Sequence, residues 1–132
     1  MIEPRRDLQE RTFEFARRVV KLCQKLDESP GVSRTLANQL LRSACSIGAN
    51  VEEGRAGQSR ADFISKYCIA CKEARETHYW LRLLAAAEVA PPDRLSELIE
   101  ESKSTGRYPH DYHQEGAREQ QEMSLSLHSS LF

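Results

Sequence analysis

Long apolar runs are missing from this sequence: none approaches the ~20 residues needed to cross a bilayer, which argues against a membrane-spanning helix. The opening "MIEPRRDLQE" is charged where an export signal needs an apolar stretch. A cytoplasmic protein is therefore expected, with Cys23, Cys45, Cys68 and Cys71 reduced. Glycine and proline are scarce, six and five of 132 residues, which disfavours a strand-and-turn architecture. A large excess of one charge is also lacking, since the formal net charge is only −1. At this length a second catalytic domain is not expected, and one modest core is what the chain can bury.

What is abundant is Leu, Ala, Glu, Arg, Lys and Gln, all good helix formers. From Asp7 to Leu26, Phe15, Val19, Leu22 and Leu26 recur at helical spacing, with Phe13, Ala16, Val20 and Cys23 widening the stripe. "DESPGVS" interrupts this pattern, and Ser33 is placed to cap a second helix over 33–53. There Ala37, Leu40, Ala44, Ile47 and Val51 form one narrow seam, the heptad spacing of a bundle. Gly48, in the small-residue stretch "SACSIGAN", suggests a close helix contact. Gly54 reads as a left-handed cap, and Ser59 with Asp62 opens a third helix to about Ala87. Its seam is Phe63, Tyr67, Ala70, Ala74, Thr77, Leu81 and Leu84. After "VAPPDR", a fourth amphipathic stretch around Leu95, Leu98 and Ile99 lasts barely three turns before Gly106. The expected fold is all-α: an antiparallel up-down-up-down four-helix bundle over 1–105, its fourth helix truncated.

Several residue patterns admit chemistry. Cys68-x-x-Cys71 is half a zinc or redox motif, but it lies mid-helix with no second pair, and buried small hydrophobes are the simpler reading. Glu73, Glu76 and His78 lack the Glu-x-x-His spacing of a di-iron bundle, so ion pairs with neighbours such as Lys72 and Arg75 are expected instead. "GRAG" at 54–57 lacks the Lys-Ser/Thr ending of a phosphate loop, leaving Arg55 and Arg60 as an exposed polar group around a turn. No catalytic residues, metal site or cofactor are expected.

Charge is unevenly distributed: residues 1–84 hold 15 Lys/Arg against 11 Asp/Glu, and residues 85–132 hold 4 against 9. In helix one, Arg11, Arg18 and Lys25 are spaced seven apart, while Arg17, Lys21 and Lys25 form a second row at four. Such rows can follow a phosphate backbone without reading bases. A solvated face interleaved with Glu10 and Glu14 is the competing explanation.

"QLLRSACSIGANVEEG" and "ADFISKYCIACKEARETHYWLRLL" resemble a bacterial four-helix-bundle family, first noticed as proteins encoded in intervening sequences of large-subunit (23S) ribosomal RNA genes. The family includes accessory variability proteins of diversity-generating retroelements. Ser46 to Gly54 matches its Ser-Ile-Pro-x-Asn-Ile-x-Glu-Gly segment, with Gly48 where Pro is usual. The resemblance implies a homopentameric barrel and a structural polar cluster of Asn50 and Glu53 with Glu73 or Glu76. By the same resemblance, RNA or DNA and a reverse transcriptase are the implied partners.

The tail from 106 to 132 departs from that pattern and is expected to be disordered. Family members continue with a run close to "VAILTTIIKKAR"; here "GRYPHDYHQEG" stands instead. Read one base later, codons for this segment permit Val-Ala-Ile-Leu-Thr-Thr-Ile-Ile-Lys-Lys-Ala, so a frameshift near Ser102–Gly106 is inferred. His110, Asp111 and His113 as a metal clip are the alternative. Two functions follow: a non-enzymatic oligomeric bundle that contacts RNA or DNA through a basic surface, or an adaptor, for example to a reverse transcriptase, without nucleic-acid affinity.

Overall fold

A computed structural model of the chain describes residues 7–57, 59–106 and Leu125. The frameshift reading of the tail and the His110, Asp111 and His113 clip lie outside these residues. Four helices follow in order: α1 (Leu8–Leu26), α2 (Val32–Ala56), α3 (Arg60–Ala86) and α4 (Pro92–Gly106). Each packs antiparallel on the next, giving the expected all-α four-helix bundle, with no strand among the described residues. The fourth helix is the shortest, 15 residues against 27 in α3, so it covers only part of the length of its neighbour.

Local chemistry sets the ends. The first turn closes at Gly31, whose φ of 97° belongs to the left-handed half of backbone space that glycine tolerates. Its carbonyl accepts both the N–H and the hydroxyl of Thr35, at 3.0 Å each. Gly31 thereby takes the capping place expected of Ser33, and α2 begins at Val32. At its other end α2 continues past residue 53 to Ala56. Gly54 is helical and buried rather than a left-handed cap. The reason is contact: a Cβ on Gly54 would lie 3.1 Å from Lys66 Cβ, so glycine there lets α2 and α3 converge before the turn. Ser59 caps α3 as expected, accepting the Asp62 N–H at 3.1 Å.

The far end of α3 is less ordinary. Glu88, at φ 57°, stands in the left-handed position that helices usually give to glycine. The flanking bonds, Val89 N–H to Leu84 O at 3.0 Å and Glu88 N–H to Ala85 O at 3.2 Å, are the paired bonds of a Schellman turn. Pro92 then opens α4, where its missing N–H costs nothing.

The interior is built from the expected seams. Ala37, Leu40, Ala44, Ile47 and Val51 of α2 meet Ala70, Ala74, Leu81 and Leu84 of α3 in one cluster with Phe15, Val19, Leu95 and Leu98. Fully burying each large aliphatic side chain contributes roughly 1.5–3 kcal/mol. Phe63 is half-buried, and Phe13, expected to widen the α1 stripe, is 65% exposed. Thr12, the residue beside Phe13, is buried instead, turned toward Gly48 of α2. Between α2 and α3 the core also holds a polar contact, Thr77 Oγ1 to Ser43 Oγ at 2.9 Å. Both hydroxyls reach a backbone carbonyl as well, of Glu73 and Leu40, so neither is stranded.

Candidate nucleic-acid interface

The row Arg11 and Arg18 of α1 faces α4. Arg11 holds Glu101 at 2.9 Å and Arg18 holds Glu97 at 2.7 Å. A heptad step on α1 thus meets two carboxylates four residues apart on α4, and the row serves to close the bundle. Arg17 is paired within its own helix to Glu14 at 2.6 Å. Arg55 is paired to Asp7, tying the end of α2 to the start of α1. Lys21, Lys25 and Arg60 are exposed and have no acidic partner among the described residues. The two lysines lie at the C-terminal end of α1 and Arg60 opens α3, at opposite ends of the bundle. The candidate cations of α1 and of the α2–α3 turn, Arg11, Arg17, Arg18, Lys21, Lys25, Arg55 and Arg60, are thus divided between ion pairs within the bundle and exposed positions at its two ends.

The four polar residues implied by resemblance also divide. Asn50 donates to the Ser46 carbonyl at 2.8 Å and its hydroxyl oxygen at 3.0 Å, and Glu53 pairs with Lys66 at 3.3 Å. Glu73 and Glu76 instead share Arg42, Glu73 at 3.4 Å and Glu76 in a shorter contact. The antiparallel register explains the split: 53 lies opposite 66, and 42 and 43 lie opposite 73–77. Asn50 and Glu53 are thus two or more turns of α2 away from the place where Glu73 and Glu76 dock.

Recruitment of Glu73 and Glu76 by Arg42 has a consequence the sequence did not announce. Lys72 and Arg75, expected to pair with those glutamates, have no acidic partner among the described residues, and neither does Arg82. All three are exposed. At steps of three and seven they share the outward side of α3, with Tyr79, 50% exposed, between Arg75 and Arg82. The signal available in the sequence was the spacing 72, 75, 79, 82; it was masked by the adjacent glutamates.

The remaining motifs are structural in this fold. Cys71 is buried with its Sγ 3.9 Å from the Thr105 carbonyl, and burial pushes the thiol up to about 11, with Cys68 adding to the effect. Cys23, beside the Ala37 carbonyl at 3.4 Å, is pushed up to about 12, chiefly by burial. Such thiols are protonated near neutrality and poor nucleophiles or ligands. No group of three His, Cys, Asp or Glu side chains is arranged to hold a metal among the described residues. His78 Nδ1 lies 3.2 Å from both the Ile99 carbonyl and Ser102 Oγ, joining α3 to α4. The "GRAG" glycines complete the α2 end, where Gly57 N–H donates to Gly54 O at 3.3 Å. No described helix is long and apolar enough to cross a membrane.

The family model for 23S rRNA-intervening sequence proteins matches residues 6–109, most of the chain. A crystal structure from Bacteroides thetaiotaomicron VPI-5482, described as a protein of unknown function from the S23 ribosomal protein family, is 39% identical with a TM-score of 0.70. That similarity covers 76% of this chain and 93% of the other. Comparison with curated proteins gave no significant match. The chain belongs to the 23S rRNA-intervening sequence protein family.

Proposed function

We propose that this member of the 23S rRNA-intervening sequence protein family is a non-enzymatic scaffold that holds the phosphate backbone of nucleic acid on the outer face of α3. One observation carries the reading: Lys72, Arg75 and Arg82 are exposed on one helical side without an acidic partner among the described residues. A cation already held by a carboxylate must break that pair to meet a phosphate, and none of these three is so held among the described residues. Arg11, Arg17, Arg18 and Arg55 belong to the first class, while Lys21, Lys25 and Arg60 extend the second at the two ends of the bundle. The protein acts in the cytoplasm as a homo-oligomer, a pentamer by family resemblance, which would repeat the face around the assembly and multiply weak contacts.

A salt titration of binding to fluorescently labelled RNA and DNA tests this. Three phosphate contacts per copy give a slope of log K against log salt of roughly −2 on single strands. Replacing Lys72, Arg75 and Arg82 by Gln removes most of that slope. Absence of binding at low salt by the unmodified oligomer ends the reading and leaves the adaptor, a protein-binding bundle such as a reverse transcriptase accessory.

A further inference from the structure

We infer that the α3 face takes single-stranded RNA, with Tyr79 as the platform on which an unpaired base stacks. The inference rests on the phosphate-binding reading above and adds to it the class of nucleic acid and the residue that selects it. Charge alone would suit a duplex or a single strand equally. The aromatic ring changes that balance, because a stacked base must be unpaired and every base offers a face.

Three features place Tyr79 for this role. It is half-exposed, although tyrosine carries apolar area that burial would stabilise. It stands four residues after Arg75 and three before Arg82, so two guanidinium groups without an acidic partner among the described residues flank the ring along the helix. And its ring has a neighbour anchored on the core: the Tyr79 and Trp80 rings meet edge to face with centroids 5.1 Å apart, while half-buried Trp80 packs on the core. An exposed ring on a rigid 27-residue helix loses little freedom when a base settles on it.

Size agrees with a short site. Lys72 to Arg82 covers ten residues of helix, about 15 Å at ~1.5 Å per residue. At ~3.4 Å per stacked nucleotide that spans about four nucleotides. By contrast Phe13, the other strongly exposed aromatic of α1 to α4, follows Arg11 and precedes Arg17, both already held by carboxylates. RNA is the occupant favoured over DNA because its loops, bulges and ends keep bases unpaired and open to an aromatic surface.

The test uses the full chain with a 12-nucleotide RNA carrying 2-aminopurine, its deoxy counterpart and the RNA duplex of the same length. Binding is read by anisotropy and stacking by quenching of the 2-aminopurine. The expected result is quenching on binding, single strand preferred over duplex, and RNA bound at least as tightly as DNA. Tyr79→Leu should weaken single-strand binding about fivefold to a hundredfold and abolish quenching, whereas Tyr79→Phe retains both. Duplex binding should be unchanged in Tyr79→Leu, and thermal melting should confirm that both variants fold. Unquenched binding, equal affinity of Tyr79→Leu for the single strand, or tighter binding of the deoxy strand overturns the inference. If those results come with a strong loss in the Gln variants of Lys72, Arg75 and Arg82, the phosphate-binding reading survives. If no nucleic acid binds at low salt, that reading falls as well.

Discussion

The bundle closes its two sides by different physics. Between α2 and α3 the seam is tightly packed, with Ala44, Ile47, Val51, Ala70, Ala74 and Leu81 almost wholly buried and glycine at a close approach, and its ion pairs, Arg42 with Glu73 and Glu76 and Lys66 with Glu53, lie at its margin. Between α1 and α4 the backbones scarcely approach, and two partly exposed ion pairs, Arg11 with Glu101 and Arg18 with Glu97, span the gap. The difference decides where free positive charge remains. Across α2 and α3 the glutamates of α3 go to Arg42, which leaves Lys72, Arg75 and Arg82 without an acidic partner among the described residues, whereas across α1 and α4 the glutamates of α4 take up Arg11 and Arg18.

The strongest challenge to this comparison is at the packed seam. Leu81, fully buried on α3, should cost about 2–5 kcal/mol when cut to Ala, read by urea unfolding. A loss below 1 kcal/mol would mean that the seam is not what holds the bundle. The two glycines inside α2 give a finer test. At Gly54 an added Cβ would be 3.1 Å from Lys66 Cβ, which cannot rotate away, so Gly54→Ala should destabilise by about 1–3 kcal/mol. At Gly48 the nearest atom is Thr12 O at 3.4 Å, an ordinary contact. Gly48→Ala should therefore be neutral or stabilising by up to ~1 kcal/mol, since alanine is the better helix former.

Two buried thiols sharpen the comparison through pH. Cys23 lies where α1 meets α2 and Cys71 where α3 meets α4. Their folded values, pushed up to about 12 and about 11, lie above the unfolded value of roughly 8.5. Between those limits the unfolded chain has released protons that the folded chain keeps, so stability falls as pH rises, by at most about 1.4 kcal/mol per pH unit for each thiol. Below the unfolded value the thiols contribute no slope. Urea midpoints at pH 7 and pH 10 should diverge more for the unmodified protein than for Cys23→Ala.

Much of this was legible in the sequence because buried seams repeat. The residues 37, 40, 44, 47 and 51 are fixed by the period of a helix that must hide one stripe, and the structure buries all of them. Gly31, Gly54 and Ser33 were harder, since which of several cap-like residues ends a helix depends on what packs against it. The candidate site was least legible. Adjacency suggested that Glu73 and Glu76 neutralise Lys72 and Arg75, but pairing across the antiparallel register gave those glutamates to Arg42. A single chain of letters carries helical spacing directly; the partner opposite each charge appears only once the helices are set side by side.

The smallest expected effect isolates the other seam. Arg18 and Glu97 are substantially exposed, 36% and 79% at the side chain, and Arg11 and Glu101 only somewhat less so. Water and salt screen such pairs, and each contributes about 0.2–1 kcal/mol. Arg18→Ala should therefore lower stability by less than ~1 kcal/mol at low salt. In about 1 M NaCl, where the Debye length is ~3 Å, the difference should nearly vanish. If charge is what joins α1 to α4, exchanging the partners as Arg18→Glu with Glu97→Arg should restore what either single reversal loses. RNA affinity should follow a different course in the same variants. Arg18 is occupied by Glu97, so Arg18→Ala should leave binding within about twofold while Arg75→Gln reduces it. Equal losses in the two would place both helices on the nucleic acid and dissolve the distinction between a cation spent on the fold and one left for a partner.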